Sequence, residues 1–404
     1  EVKREKQESN NAELICKTRL LIKYDCVLKD PIDIKTIFSK EEAINGSFNS
    51  KLKIKLISKP KDNSFLNNNN NNNGRINYKG DLKKISSFKF SKINNFFQYN
   101  PEITFEGNNV IFFDNKGSIF KFDSNSTLIW KKNYYLKNEK KHTPVLLFAN
   151  NKKILIVADN IAKYYALDIN NGNLLWTKKN KSPFNSQIKI YNDLFFIVDF
   201  ENILRAYSIK NGNEVWNIKT ENPLVRSQKK LSIAIVEKNI YFNNSLGDIS
   251  AVDIKTGELI WQRPTQNNLL SDGIHSLKNS EIIAHNDSLY FSNNRNQFFS
   301  IDRRTGNLNW RQKINSSLKP TIVDNYIFTI SIEGFLIIIN KNTGAIIRVT
   351  NLLKDSNNKR NKDSIIPVGF IVGSKNIYLT TNKGKLYIVD IKTGQTIQIL
   401  KIDN

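Results

Sequence analysis

The sequence predicts an all-β fold, a β-propeller of four-stranded antiparallel blades. Three observations lead to this prediction. One motif returns seven times, successive motifs lie 38 to 50 residues apart, and each motif consists of two strand-like segments joined by a turn. A repeat of roughly 40 to 50 residues is the length of one four-stranded blade. The repeat therefore decides the fold class.

The seven copies of the motif share a strand, a turn and a second strand. In chain order they read FKFDSNSTLIW, YALDINNGNLLW, AYSIKNGNEVW, AVDIKTGELIW, SIDRRTGNLNW, IINKNTGAIIR and IVDIKTGQTIQ. The polar anchors of the turns are Asp123, Asp168, Ser208, Asp253, Asp302, Asn340 and Asp390. An Asp or Asn side chain at such an anchor can bond backbone amides just ahead of it, and a glycine four residues later tolerates positive φ. The motif thus predicts the hairpin between the third and fourth strands of a blade.

A second turn precedes each anchor by six residues. It holds Gly117, Ala162, Asn202, Gly247, Asn296, Gly334 or Gly384. Glycine and asparagine tolerate the left-handed backbone region, so this turn is predicted to join the second and third strands. Further strand pairs lie upstream, and they complete four strands per repeat.

All five tryptophans of the protein stand at one position of the repeat. It is four residues past the glycine, or the end of the motif in the first repeat, which lacks the glycine and is one residue shorter. The tryptophans are Trp130, Trp176, Trp216, Trp261 and Trp310. A large ring that recurs once per blade is expected to fill the gap between adjacent blades, where it is buried as no single blade could bury it. The last two repeats carry Arg348 and Gln398 there, and weaker contacts between blades are expected at both.

The two ends of the repeat array raise the question of how many blades there are. Seven repeats are complete, and KISSFKFSKI at 84–93 is expected to be an isolated strand before the first. Either the ring has seven blades and this strand is an accessory, or it has eight and the last is only partly present in this chain. Because an open ring leaves exposed sheet edges, we favour eight. The propeller is assigned to 81–404.

Residues 1–80 do not follow the repeat and are assigned to a mostly irregular N-terminal extension or tether. A short helix is predicted at 1–18, and the run Asn67–Asn73 is expected to be a loop without a core. Cys16 and Cys26 are too few for a disulfide framework. They either pair or remain two thiols. An export signal or a lipid-bearing cysteine is expected to have preceded Glu1.

The chain carries a formal net charge of +24. Such a balance suggests an anionic partner, but Lys, Asn and Ile are abundant throughout the chain, as in a biased genome. We therefore give charge little weight. No apolar stretch approaches the roughly 20 residues that a membrane-spanning helix needs.

The ordered motifs resemble the PQQ-like, Trp-docking repeat superfamily over roughly 84–404. Within it they are most similar to the BamB family of outer-membrane assembly lipoproteins, of the alphaproteobacterial type. NNSLGDISAVDIKTGELIWQRPTQ and SIEGFLIIINKNTGAIIRVTNLL are among the similar segments. The resemblance implies an eight-bladed scaffold at the periplasmic face of the outer membrane, held there by a lipid. It also implies three kinds of partner: BamA POTRA domains, other subunits of the assembly machinery, and unfolded outer-membrane protein precursors.

In that family a rim loop with Leu and Arg docks to BamA, and ENPLVRSQKK lies at the corresponding place. Leu224, Val225 and Arg226 are therefore the candidate partner-binding residues, since an apolar pair beside an arginine suits an interface anchor. The alternative is an ordinary loop between blades.

Two other functions were weighed against the scaffold. Quinoprotein dehydrogenases share the propeller, but they carry an adjacent cysteine pair near the quinone, which this sequence lacks. The three histidines, His142, His275 and His285, show no metal-ligand spacing. A nucleic-acid binder would need aromatic residues free to stack, whereas the aromatics here fall at inward strand positions. The sequence therefore predicts no catalytic residue, no cofactor, no metal ligand and no nucleic-acid partner.

Overall fold

The computed structural model describes residues 44, 46–57, 102–221, 229–265, 277–354 and 365–402, together with the backbone of three strands within 4–28. The chain divides into two compact units, Glu1–Glu42 and Ala43–Asn404. The strand predicted at 84–93 and the asparagine run lie outside the described residues.

The first unit contains an antiparallel sheet. Its strands, in the order β1-β2-β3, are Arg4–Ser9, Ala12–Arg19 and Lys23–Leu28. The prediction of a short helix at 1–18 is therefore wrong. Two consecutive asparagines separate the first two strands in the sequence, and asparagine favours hairpin turns, a signal that outweighs the helical propensity of the flanking residues. The register places Cys16 opposite Cys26.

The second unit contains seven four-stranded antiparallel sheets, so the described residues form seven blades of a propeller. Blade 1 has β4–β7: Thr104–Glu106, Asn109–Phe113, Ile119–Phe122 and Leu128–Lys132. Blade 2 has β8–β11: Leu146–Asn150, Ile154–Asp159, Lys163–Asp168 and Leu174–Lys179. Blade 3 has β12–β15: Lys189–Tyr191, Leu194–Val198, Ile203–Ser208 and Glu214–Lys219. Blade 4 has β16–β19: Ile233–Val236, Asn239–Asn243, Ile249–Asp253 and Leu259–Arg263.

The remaining strands repeat the pattern. Blade 5 has β20–β23: Ile283–His285, Ser288–Asn293, Gln297–Asp302 and Leu308–Gln312. Blade 6 has β24–β27: Thr321–Val323, Tyr326–Ile330, Phe335–Asn340 and Ile346–Asn351. Blade 7 has β28–β31: Pro367–Val372, Asn376–Thr381, Lys385–Asp390 and Thr396–Lys401. Among the described residues the one helical element is a 3-10 turn at Glu139–His142.

The hydrophobic core lies between the blades. Six clusters of buried side chains fill the six interfaces from blades 1 and 2 to blades 6 and 7. The middle strands of each blade contribute buried side chains on both of their faces. Their sequences are therefore apolar runs and do not alternate between apolar and polar residues. Burying each large apolar side chain contributes about 1.5–3 kcal/mol.

The antiparallel order gives the propeller two distinct faces. The hairpins between first and second strands and between third and fourth strands lie on one face, which we call the hairpin face. The turns between second and third strands share the opposite face with the connections from one blade to the next, and we call this the crossover face. The connections pack on those turns. For example, the Thr265 hydroxyl donates to the Gly247 carbonyl at 2.9 Å.

A segment of the predicted N-terminal extension, residues 46–57, packs on blades 6 and 7. Phe48 pairs with Val349 through two backbone hydrogen bonds of 3.0 and 2.8 Å. Ile54 is only 2% exposed and lies in the core between the two blades. This segment therefore belongs to the same compact unit as the blades, Ala43–Asn404. The repeat could not reveal this, because the segment contains no copy of the motif.

No helix in the part of the chain that the structure describes has the length and apolar character needed to cross a membrane.

Candidate functional site

Each tryptophan of the repeat lies on the glycine of the next blade's hairpin. A Cβ atom built on Gly257 would lie 2.5 Å from the Trp216 ring, too close for any side chain. The same contact is made by the pairs Trp130–Gly172, Trp176–Gly212, Trp261–Gly306 and Trp310–Gly344. The glycine is thus required for the close approach of the ring as well as for its positive φ.

Four of the five indole N–H groups also donate to a backbone carbonyl of the next blade. The bonds are Trp130 to Ile169 at 3.1 Å, Trp176 to Ile209 at 2.8 Å, Trp261 to Arg303 at 3.1 Å and Trp310 to Lys341 at 3.0 Å. The buried Trp216 Nε1 has no such partner among the described residues. One side chain therefore supplies both the apolar contact and the polar contact between blades.

Arg348 takes the place of the tryptophan in blade 6. It is fully buried, and its guanidinium lies on Gly394 of blade 7 as the indoles lie on their glycines. The guanidinium donates to the carbonyls of Ile391, Lys392 and Leu52. Burial lowers the pKa of Arg348 to about 10. The expectation of a weaker blade contact at Arg348 is therefore wrong, because arginine replaces the indole as a donor and also binds the 46–57 segment.

Gln398 of blade 7 is exposed, unlike its six counterparts in the repeat. No contact joins Gln398 to another blade within the part of the chain that the structure describes.

The predicted partner-binding residues, Leu224, Val225 and Arg226, lie outside the described residues. They belong to the connection between β15 and β16, and both ends of that connection are described. The antiparallel order places these ends on the crossover face. The residues on either side of the loop therefore show where the chain leaves blade 3 and where it enters blade 4.

The N-terminal end of the loop is fixed by Asn202, in the turn between the second and third strands of blade 3. Its side-chain amide donates to the Glu221 carbonyl at 2.7 Å, and its backbone carbonyl accepts the Thr220 hydroxyl at 3.0 Å. Its side-chain oxygen accepts two hydrogen bonds from Ser245 of blade 4. Asn202 thus joins two blades to the start of the loop.

The C-terminal end of the loop is fixed by Lys229. Its ammonium group donates to the Ser317 carbonyl, at the entrance to blade 6. Burial is the largest influence on this group, and it lowers the pKa of Lys229 to about 7. The chain therefore enters and leaves the 222–228 segment at two hydrogen-bonded points on the crossover face.

Only part of this arrangement had a signal in the sequence. Asn202 was identified as a turn residue, because it occupies the repeated position that tolerates positive φ. Asn202 also contacts Glu221 and Ser245, which lie outside its own turn. The repeat pattern does not encode contacts of this kind. Lys229 was indistinguishable from the many surface lysines. Among the described residues, no three His, Cys, Asp or Glu side chains are grouped so that they could hold a metal ion.

Seven antiparallel blades, with a Trp–Gly contact at five of the six described interfaces, define the protein as a β-propeller of the PQQ-like repeat class. The family model described as outer membrane protein assembly factor BamB matches residues 115–350. This match spans more than half of the chain, so the chain belongs to the BamB family. A search of the curated proteins finds no match.

Solved structures share the fold at low sequence identity. BamB from Moraxella catarrhalis is 18% identical, with a TM-score of 0.59 over 74% of this chain and 87% of that one. The computationally designed Ika8 protein is 12% identical, with a TM-score of 0.57 over 74% and 86%. A europium-containing methanol dehydrogenase is 12% identical, with a TM-score of 0.55 over 75% and 78%. Because a designed protein and an enzyme match nearly as well, the fold does not by itself define the function.

Proposed function

We propose that the protein is a non-enzymatic scaffold of the outer-membrane β-barrel assembly machinery. It binds the POTRA domains of BamA and aids the insertion of β-barrel precursors. The observation that carries the proposal is the family match over residues 115–350. The same family membership supports a position on the periplasmic face of the outer membrane, with a lipid as the anchor.

The loop at 222–228 is the proposed docking element. An apolar pair beside an arginine, as in Leu224, Val225 and Arg226, is the kind of anchor that dominates the energy of protein interfaces. The hydrogen bonds of Asn202 and Lys229 hold the two ends of this loop. Fixed ends support docking, because less conformational entropy is lost when the partner binds.

The charge of the chain supports an acidic partner surface. A formal net charge of +24 attracts such a surface and speeds the encounter, and this attraction weakens as salt rises. The basic side chains would then contribute to the rate of association, and the loop residues to the lifetime of the complex.

The docking proposal is tested by recovering purified BamA POTRA domains on the immobilised protein. Arg226→Glu should reduce recovery about tenfold or more, because truncating or reversing an interface anchor costs at least about 2 kcal/mol. Arg304→Glu is the matched control: this arginine is 70% exposed and lies on the opposite, hairpin face. It should bind as the wild type does.

The control also separates local from overall electrostatics, since both variants change the net charge by the same amount. Equal losses in the two variants would reduce the role of Arg226 to general attraction. If the wild-type protein retained no POTRA domains at low salt, the scaffold role itself would fail.

We further infer that an eighth blade completes the propeller and that residues 84–93 contribute a strand to it. The face of blade 1 that points away from blade 2 supports this inference. Phe112, Phe120 and Phe122 stack there with ring centroids 5.6 to 6.2 Å apart. They are only 6 to 9% exposed. An aromatic face of this kind is suited to packing against a further sheet.

A further inference from the structure

The first strands of neighbouring blades lie beside one another and form the inner wall of the propeller. Charged residues stand at or just before the start of five of these strands, at the end of the wall that belongs to the crossover face. Together with Lys229 they form a group that we call the channel mouth: Glu102, Lys189, Lys229, Lys230, Glu281 and Lys319. The group contains four lysines and two glutamates.

The two glutamates each pair with one lysine. Lys230 contacts Glu102 at 2.5 Å, and Lys319 contacts Glu281 at 3.1 Å. The second oxygen of Glu102 accepts the backbone N–H of Phe148 at 2.7 Å, so its capacity is largely used. Each of these carboxylates is therefore paired with one lysine, and among the described residues neither forms an ion pair with Lys189.

Lys189 is the one lysine of the channel mouth whose residue is buried. Its residue is 7% exposed, and its ammonium group makes no hydrogen bond or ion pair with any residue that the structure describes. Lys229 donates to the Ser317 carbonyl. A largely buried cation without a protein partner is costly, and an anion that reached its ammonium group would stabilise it.

The charges around Lys189 show which groups lie near its ammonium group. Burial is the largest influence on its pKa, and Lys319 is next; together with Lys230 they lower the value to about 8, while Glu281 and Glu102 act in the opposite direction. These four neighbours belong to blades 1, 4, 5 and 6, whereas Lys189 belongs to blade 3. The ion pair of Lys230 with Glu102 joins blades 4 and 1, so side chains of the channel mouth meet across the axis, and Lys189 lies within electrostatic range of them.

We propose that the channel mouth binds a small anion through carboxylate or phosphate oxygens, with Lys189 as the central ligand. Lys229, Lys230 and Lys319 surround the anion, and Glu102 and Glu281 hold two of these lysines in place. The bound oxygens accept charge-assisted hydrogen bonds from the Lys189 ammonium group. This site lies beyond the docking role proposed above and does not depend on it.

The test is a calorimetric titration of the whole protein with pyrophosphate and, separately, with citrate at pH 7. At least one should bind at a single saturable site. Lys189→Met should lower that affinity about tenfold or more, because a charge-assisted hydrogen bond is lost. Lys189→Arg should retain binding, since arginine keeps the charge. Lys255→Met, an exposed lysine on the hairpin face, is the control and should bind as the wild type does.

The binding should also depend on pH in a specific direction. Lys189 holds its proton below its pKa of about 8 and loses it above, so affinity should fall as the pH rises from 7 to 9. Lys229, whose pKa is about 7, loses its charge over a lower range, with Lys278 and Lys230 lowering its pKa and Glu281 raising it. In Lys189→Met the loss of affinity between pH 8 and 9 should disappear.

The outcomes separate the possible ligands. Tighter binding of pyrophosphate identifies a phosphate site, and tighter binding of citrate identifies a carboxylate site. Equal affinity of Lys189→Met and wild type would overturn the proposal, and so would the absence of saturable binding by both probes. Binding of an acidic peptide alone would also overturn it, because the site would then belong to a macromolecular partner. Unfolding temperatures of all variants show whether a lost signal reflects a lost fold.

Discussion

The hairpin glycine of each of blades 2 to 6 meets two separate physical demands. Its φ lies in the left-handed region, which costs other residues free energy, and its missing side chain leaves room for the indole of the preceding blade. The turn pattern predicted the positive φ of the glycine, and the tryptophans were predicted to lie between blades. The sequence could not reveal that the two residues touch, because they lie one repeat apart and belong to different blades.

The two demands can be separated by substitution. Gly257→Ala should destabilise the protein through both, whereas Gly107→Ala carries only the backbone cost, since its φ is +56° and no atom lies within 4 Å of the added Cβ. We expect a loss of about 1 kcal/mol at Gly107. The ring contact with Trp216 should add about 1–3 kcal/mol at Gly257. Urea unfolding measures both, and equal losses would mean that the ring moves aside freely.

The fourth strand of blade 6 contacts the next blade through an arginine and not through a tryptophan. In blades 1 to 5 a strand carries its own indole into the next blade. In blade 6 the strand Ile346–Asn351 carries Arg348, and the 46–57 segment supplies a third partner for the guanidinium. The sequence identified Arg348 as a departure from the motif. It did not predict the compensation, because the compensating carbonyl of Leu52 is remote in the chain and lies outside the repeat.

Gln398 of blade 7 occupies the position equivalent to Arg348, so the two residues can be compared by substitution. Arg348→Met should leave the carbonyls of Ile391, Lys392 and Leu52 without their donor, and we expect a loss of about 2–4 kcal/mol. Gln398→Met changes the equivalent but exposed position and should cost less than about 0.5 kcal/mol. Thermal unfolding of both variants checks the difference. Equal stabilities would show that the arginine contributes no more than packing volume.

At the scale of the whole molecule, the repeat sufficed to predict the propeller and its seven complete blades, because each copy of the motif specifies a hairpin and a packed edge. The channel mouth was not predicted. Its lysines stand at first strands, outside the motif, in a chain where lysine is abundant. They meet only because the blades surround an axis, and this is a property of the assembled fold. The docking residues Leu224, Val225 and Arg226 remain a prediction.

The inferred eighth blade makes a prediction about the entire propeller. Phe88 and Phe90 would share one face of a strand at 84–93, since side chains alternate along a strand. Replacing both with serine should lower stability by several kcal/mol if they are buried, as large apolar truncations do. Lys89→Ser alters the opposite face and is the control. Stability of the double variant equal to that of the control would favour a seven-bladed propeller.

The bond between Arg348 and the Leu52 carbonyl has a consequence for how the protein is made. The two residues are separated by 296 positions, so the ribosome releases the 46–57 segment long before its binding site exists. At about 5–20 residues per second the delay is roughly 15–60 s. During that time Ile54 has no core to enter, and chaperones can reach it. The 46–57 segment can therefore pack in its final place only after blades 6 and 7 have folded.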